Sequence, residues 1–205
     1  MILIVDYGMG NLGSIKNMLD RIGVESEISS RVADLERADK LILPGVGAFD
    51  RAMQNLDALG LVPALNRAVL DQGKPILGIC LGMQLLSRSS EEGQAAGLGW
   101  IDAETVRFRF EGEDRPLKIP HMGWNTVQAT RPGSILDTDL PESRFYFVHS
   151  YHVRCRDEAD VLGVTRYGQP FHAAVMRGNI LGTQFHPEKS HKFGIRLLRK
   201  FAEMT

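Results

Sequence analysis

Cysteine is scarce: there are two in 205 residues. Two thiols cannot build a disulfide framework, and they are too few for a zinc ribbon. No cluster of His, Cys, Asp and Glu has the spacing of a metal site. An excess of one charge sign is also missing. Lys+Arg is 24 and Asp+Glu is 25, for a net charge of -1. This excludes a basic nucleic-acid arm or an acidic tail as the main business of the chain. Long hydrophobic runs are absent too. The opening run Met1–Val5 meets Asp6 and has no basic residue before it, so it is too short for a signal sequence. The most apolar later stretch, Pro75–Leu86, is interrupted by Gly78, Gly82 and Gln84, and nothing reads as a membrane span. Repeats and low-complexity segments are missing as well. These absences predict a cytoplasmic protein with reduced thiols and no membrane or nucleic-acid partner.

What is present is an ordinary globular composition, 43% hydrophobic and 24% charged. The length suits one domain over 1–205. Ile2–Val5 is wholly apolar, as in a strand buried on both faces. A glycine-rich turn, D-Y-G-M-G-N, follows. Leu12, Ile15, Leu19 and Ile22 then recur at helical spacing, with Asn11 as a candidate cap and Gly23 as the stop. Strands are expected at Val24–Ser29, Leu41–Leu43 and Pro75–Ile79, with helical pattern between Leu56 and Leu70 broken at Gly60 and Pro63. After Gly97 the pattern changes to short strands, including one over Phe145–Val153, before helical period returns after Ser190. The expectation is an α/β fold: a mostly parallel central sheet flanked by helices, with an antiparallel β annex in the C-terminal half.

The segment P-I-L-G-I-C-L-G-M-Q (75–84) places Cys80 where a buried strand turns into a helix, between Gly78 and Gly82. That is the pattern of a nucleophile elbow with sulfur in place of oxygen. The positive end of a helix favours the thiolate, and the Leu81 N–H can face an oxyanion. A cysteine nucleophile wants a base, and the base an orienter. T-Q-F-H-P-E-K-S (183–190) offers His186 and Glu188, which share a face if the chain is extended there. P-G-V-G (44–47) follows the third strand, so the backbone around Gly45, Val46 and Gly47 can face an anion. His149 and His152, three apart on one expected strand, should face opposite sides and make no metal pair. Cys155 has no elbow and reads as structural. Trp124 reads equally as core or interface.

Taken in order, P-G-V-G, G-I-C-L-G-M-Q and Q-F-H-P-E resemble the class I glutamine amidotransferases. M-G-N-L (9–12), P-G-V-G-A-F (44–49), P-H-M-G-W-N (120–125), Y-F-V-H-S-Y (146–151) and Q-F-H-P-E-K-S (184–190) narrow the resemblance to the family of imidazole glycerol phosphate synthase glutaminase subunits. The resemblance implies a flavodoxin-like sheet and a Cys80–His186–Glu188 triad. It also implies glutamine binding by Gln84, His149, Ser150 and Tyr151, and no cofactor. Ammonia released in water protonates and loses its nucleophilicity, so an acceptor should sit close by. The amidotransferase pattern fills all 205 residues, which puts that acceptor on another chain. The family implies a heterodimer with a (β/α)8-barrel cyclase subunit, contacted through Met9, Asn11, Trp124, Tyr146 and Lys189.

Overall fold

The computed structural model describes residues 1–112, 117–136 and 142–204. The first half alternates strand and helix: β1 (Ile2–Val5), α1 (Leu12–Arg21), β2 (Ser26–Ser29), α2 (Val32–Arg37), β3 (Lys40–Gly45), α3 (Phe49–Ala58), α4 (Leu61–Asn66), β4 (Ile76–Cys80) and α5 (Leu81–Leu85). The second half is mainly strands: β5 (Ser89–Ser90), β6 (Ala103–Arg107), β7 (His121–Thr126), β8 (Gln128–Ala129), β9 (Arg144–His149), β10 (Tyr151–Cys155), β11 (Val161–Tyr167), β12 (Gln169–Arg177) and β13 (Ile180–Thr183). It closes with α6 (His191–Glu203).

The main sheet runs β2-β1-β3-β4-β13-β12-β10-β6-β5. Its first five strands are parallel. The β13–β12–β10–β6 pairings are antiparallel. The expected annex is therefore a continuation of the same sheet, with β11 attached to β12 and β8 to β11. Among the described residues, only β7 and β9 form a separate antiparallel pair.

Successive residues of a strand point to opposite faces, which explains the all-apolar runs. Leu3, Val5, Leu41 and Leu43 pack with Leu35, Phe49, Leu56 and Leu65 from α2, α3 and α4. Ile2, Ile4, Ile42, Leu77 and Ile79 face the other way, against Ile15 and Leu19 of α1 and Leu197, Leu198 and Phe201 of α6. Each such side chain removed from water contributes roughly 1.5–3 kcal/mol, so the central strands are the most strongly specified part of the chain.

Several local expectations are corrected. Asn11 precedes α1 but makes no side-chain capping bond. Gly60 does break the helical stretch, at φ 65°, where a side chain would be strained. Pro63 does not break it. Proline sits in the first turn of α4, where a missing N–H costs no helical bond. The D-E-A-D stretch (157–160), whose composition predicts a hairpin turn, is instead a short 3-10 turn over Glu158–Asp160, with the Asp157 side chain accepting from the Ala159 N–H. Among the described residues, the strand before it pairs with β12 and β6 and not with β11. The single strand expected over Phe145–Val153 is two, broken at Ser150. One half pairs with β7 and the other joins the main sheet, so facing is reset at the break. His149 and His152 consequently do not part to opposite sides. Both rings pack against Phe108, at centroid distances of 5.2 and 4.7 Å.

Candidate functional site

The carboxyl ends of β3, β4 and β13 lie side by side. Gly45 is opposite Cys80 in the β3–β4 register, and Thr183 is opposite Ile79 in the β13–β4 register. A parallel sheet places its sites at this edge. Cys80 ends β4 with φ 55° and ψ −109°, a conformation that costs a non-glycine residue and is retained at elbows. The glycines on either side allow it. A Cβ on Gly82 would stand 1.8 Å from the Leu43 carbonyl oxygen, and one on Gly78 would stand 2.7 Å from the Gly82 oxygen. The following helix α5 has only five residues, so its dipole contributes less than the sequence pattern suggested.

His186 follows β13 in extended conformation, as the proline after it requires. Its N–H donates to the Tyr146 carbonyl at 2.9 Å, and its own carbonyl accepts from Ser190 Oγ at 2.6 Å. Ser190 Oγ also accepts from the Tyr146 N–H, so Tyr146 and Ser190 together fix the histidine backbone. Glu188 reaches it in a different way from that expected. Pro187–Lys189 is a 3-10 turn, not extended chain, and the turn folds the carboxylate back to His186 Nδ1 at 2.7 Å. Both side chains are almost wholly buried, at 1% and 2% exposed. With Nδ1–H donating to the carboxylate, Nε2 is the nitrogen left for chemistry. It makes no hydrogen bond of ordinary geometry to any described residue, yet it is close enough to Cys80 for the sulfur to act on its proton. Burial alone would lower the imidazole's proton affinity. Cys80 and Glu188 outweigh it and push His186 up to about 9. At neutral pH the arrangement favours imidazolium beside sulfur.

A cleft of about 330 Å³ opens onto this pair. Its walls include Val46, Gly47, Leu81, Gln84, His149, Ser150 and Tyr151, so most expected oxyanion and glutamine residues converge here. Gly45 is packed behind the cleft, where a Cβ would meet the Tyr7 hydroxyl at 2.5 Å. Gly47 takes φ 110°, a conformation that favours glycine. Gln84 is 5% exposed, and its Nε2 donates to the Tyr151 carbonyl at 3.1 Å and to Gln184 Oε1 at 3.2 Å.

Sequence reasoning missed four participants. Glu92 lines the cleft, with its carboxylate held by the Phe49 N–H at 2.9 Å. The only hint was an acidic pair just beyond the elbow. Tyr7, buried at the end of β1, donates to the Pro44 carbonyl at 2.6 Å and anchors the P-G-V-G strand. Gln184 touches Cys80 through its side-chain amide. His121 supports His149. The His149 Nδ1–H donates to the Tyr151 carbonyl at 2.7 Å, so Nε2 accepts from His121 Nδ1–H at 3.0 Å. That leaves His121 Nε2 to accept from Asn125 Nδ2 at 3.3 Å. Both rings are neutral in this chain of bonds. Burial holds His121 down at about 4 and His149 well below the usual histidine value.

The expected interface residues divide. Trp124 is 41% exposed, which removes it from the core, and it faces Tyr146 across the β7–β9 pair. The Lys189 ammonium lies 5.9 Å from the Tyr146 ring, and Met122, 62% exposed, extends the apolar surface along β7. Met9 abuts Gly47 and is half-buried. Asn11 is exposed at the start of α1. Cys155 is buried among β-strand neighbours, with its thiol pushed up to about 12 by burial. No cluster of three or more potential metal-ligating side chains occurs among the described residues, and no helix there is long and apolar enough to cross a membrane.

Comparison with known proteins gives the family. The family profile of class-I glutamine amidotransferases matches residues 3–204. Imidazole glycerol phosphate synthase subunit HisH 2 of Methanococcus maripaludis is 52% identical over 205 residues, covering both chains completely, and HisH 2 of Pseudomonas aeruginosa is 52% identical over the same span. The HisH subunit of Leptospira borgpetersenii is 44% identical over 204 residues, again with full coverage of both. A solved glutamine amidotransferase superposes with a TM-score of 0.73 at 22% identity, covering 98% of this chain and 97% of the other. A glutamine amidotransferase from Thermotoga maritima superposes with a TM-score of 0.66 at 16% identity, covering 98% and 81%. These two likenesses are evidence of shared fold. The chain belongs to the class I glutamine amidotransferases and, within them, to the HisH glutaminase subunits of imidazole glycerol phosphate synthase.

Proposed function

We propose that the chain hydrolyses glutamine through a γ-glutamyl thioester on Cys80 and passes the ammonia to a partner cyclase. The observation that carries this reading is the buried His186, bonded to Glu188 at 2.7 Å and facing Cys80 at the floor of an open cleft. The Cys80 thiolate adds to the side-chain amide carbon. The Leu81 N–H and a donor from Gly45–Gly47 take the oxyanion. His186 gives its Nε2 proton to the departing nitrogen, the C–N bond breaks, and ammonia leaves. Neutral His186 then takes a proton from water, hydroxide adds to the thioester carbon, and the C–S bond breaks to return thiolate and glutamate. Glu188 keeps the ring oriented and stabilises the imidazolium. The Glu92 carboxylate and the Gln84 carbonyl suit the ammonium of the substrate, and the His149–Ser150–Tyr151 wall its amino-acid end. Residues 1–205 act as one amidotransferase domain.

The ammonia needs an acceptor. By family, that acceptor is a (β/α)8-barrel cyclase subunit, which combines ammonia with the phosphoribulosyl-formimino-AICAR phosphate precursor. The products are imidazole glycerol phosphate and AICAR, in histidine biosynthesis in the cytoplasm. Trp124, Tyr146 and Lys189, with Met9 and Asn11, would carry the contact. Met9 against Gly47 gives the partner a route to the oxyanion strand. A second reading keeps the glutaminase chemistry and changes the acceptor to a paralogous synthase, such as a sugar-amidinating one. It is favoured by the numbered names of several relatives, which distinguish copies of the subunit. The test is to purify the chain with its native partner and supply glutamine, the histidine precursor and hydroxylamine. Hydroxylamine intercepts a thioester, so γ-glutamyl hydroxamate should form and should vanish in Cys80→Ala. Absence of hydroxamate during turnover would remove the thioester. Turnover of glutamine without use of the histidine precursor would move the chain to the second reading.

A further inference from the structure

Gln184 lies two residues before His186 and is wholly buried, with its backbone N–H bonded to the Ala173 carbonyl at 2.8 Å. Its side chain sits between Gln84 and Cys80. A primary amide has a donor end and an acceptor end, and its neighbours decide which way it points. Gln84 Nε2 has two protons, and both are committed: one to the Tyr151 carbonyl at 3.1 Å, the other to Gln184 Oε1 at 3.2 Å. With its oxygen engaged there, Gln184 must turn its NH2 group the other way. That group donates to Cys80 Sγ at 3.8 Å. We propose that Gln184 is a further catalytic residue of the glutaminase, its side-chain amide donating to the Cys80 thiolate, and that Gln84 is the positioning residue that holds the donor end toward sulfur.

The inference rests on reading Cys80 as the nucleophile. Cys80 is 7% exposed, so water solvates its sulfur poorly, and a buried anion needs donors from the protein. The titratable groups that act on it are His186 and Tyr7. Burial raises the Tyr7 phenol, which stays neutral, so it brings no positive charge to the sulfur. A hydrogen bond to the charged form favours that form. It helps twice in the cycle: when thiolate waits for substrate, and when the C–S bond breaks and its electron pair returns to sulfur. At that second moment His186 has recovered its proton from water, and Gln184 supplies a donor that does not titrate. The same bonds leave Gln84 Oε1 as an acceptor toward the cleft.

The test compares Gln184→Met, similar in length but without the donor, and Gln184→Glu, similar in shape with acceptors only. Each is studied in complex with its partner. Iodoacetamide labelling of the Cys80 peptide is followed by mass spectrometry across pH, with Cys155 as internal reference. The Cys80 labelling profile should move to higher pH by about one unit in Gln184→Met and further in Gln184→Glu. Glutaminase kcat should fall by about tenfold or more with KM changed little. Gln84→Met frees the amide to flip, so its labelling profile should move in the same direction, with KM rising because Gln84 also lines the cleft. An unmoved profile in a folded Gln184 variant overturns the proposal. Should both of those variants fail to fold, an unmoved profile in Gln84→Met overturns it instead. Failure of the glutaminase reading itself would look different: wild-type and Cys80→Ala complexes would consume glutamine equally.

Discussion

Mild acid should loosen this fold before it protonates most carboxylates. Burial holds His121 and His152 down at about 4, against 6.5 for an exposed histidine, and lowers His149 in the same direction. The unfolded chain takes up these protons as pH falls below 6.5, while the folded chain resists until about 4. The stability these groups contribute is therefore complete above 6.5 and is lost as pH falls through that window. Between pH 7 and 5.5 the loss is about 1 kcal/mol for each of His121 and His152, or about 2–3 kcal/mol together, with His149 adding to it. For a chain of this size that lowers Tm by about 5–10 °C. His186 offsets part of the trend, by about 1 kcal/mol between pH 7 and 5.5, roughly what His149 adds to it. Its proton affinity is raised, so its contribution is complete below 6.5 and is lost progressively as pH rises from 6.5 through about 9. The assay is thermal unfolding by circular dichroism at pH 7.0, 6.0 and 5.5 (values chosen to span about one and a half units). His152 packs on Phe108 and Phe171, and its Nε2 has no partner among the described residues, so His152→Phe keeps an aromatic ring and removes the titration. It should flatten the dependence by about 1 kcal/mol over this range. A constant Tm between pH 7 and 5.5, or an unchanged slope in His152→Phe, would refute the assignment of the acid sensitivity to these rings.

Three further outcomes follow from the site. Glutaminase activity should fall on the alkaline side with an apparent pKa near 9, because the leaving nitrogen needs the His186 proton; the pH profile of kcat checks this, and a flat profile to pH 10 contradicts it. Glu188→Gln should cost less than His186→Ala in single-turnover thioester formation, since Glu188 only orients and stabilises the ring; the reverse order would exchange their roles. The isolated chain should be nearly inactive and rise mainly in kcat when the partner and its substrate bind, because the Gly45–Gly47 peptides can present either a carbonyl or an N–H to the oxyanion. One such donor is worth about 3–4 kcal/mol, so the rise should be a factor of hundreds. Steady-state kinetics on the chain alone and in complex decides it, and full activity without a partner would end the idea.

The readable parts of the chain were those in which a pattern is local. The buried runs of β1 and β4 announced themselves because each face meets a helix layer, and the four-residue spacing of Leu197 and Phe201 gave α6. The elbow was legible because the strand, the strained residue and its two glycines are contiguous. The His186–Glu188 pair was legible for the same reason, although the turn that joins them was read as extended. What escaped depended on distant partners. The six-residue helix α2 is too short to show a period. The break at Ser150 follows from two sheets competing for one segment, and it cancels the facing expected of His149 and His152. The amide chain from Tyr151 through Gln84 and Gln184 to Cys80 crosses separations of 67, 100 and 104 residues, which no spacing rule reaches. Glu92 is exposed as its polar loop suggests, and nothing local in the sequence shows that this loop borders the cleft.

The central claim is that Cys80 makes ammonia for chemistry performed on another chain. Its most direct test is the complex carrying Cys80→Ala, shown intact by size-exclusion chromatography and assayed for product with glutamine and, separately, with added ammonium salt. The account predicts loss of glutamine-dependent synthesis with ammonium-dependent synthesis retained. Loss of both activities in the intact complex, or survival of the glutamine-dependent one, would contradict it.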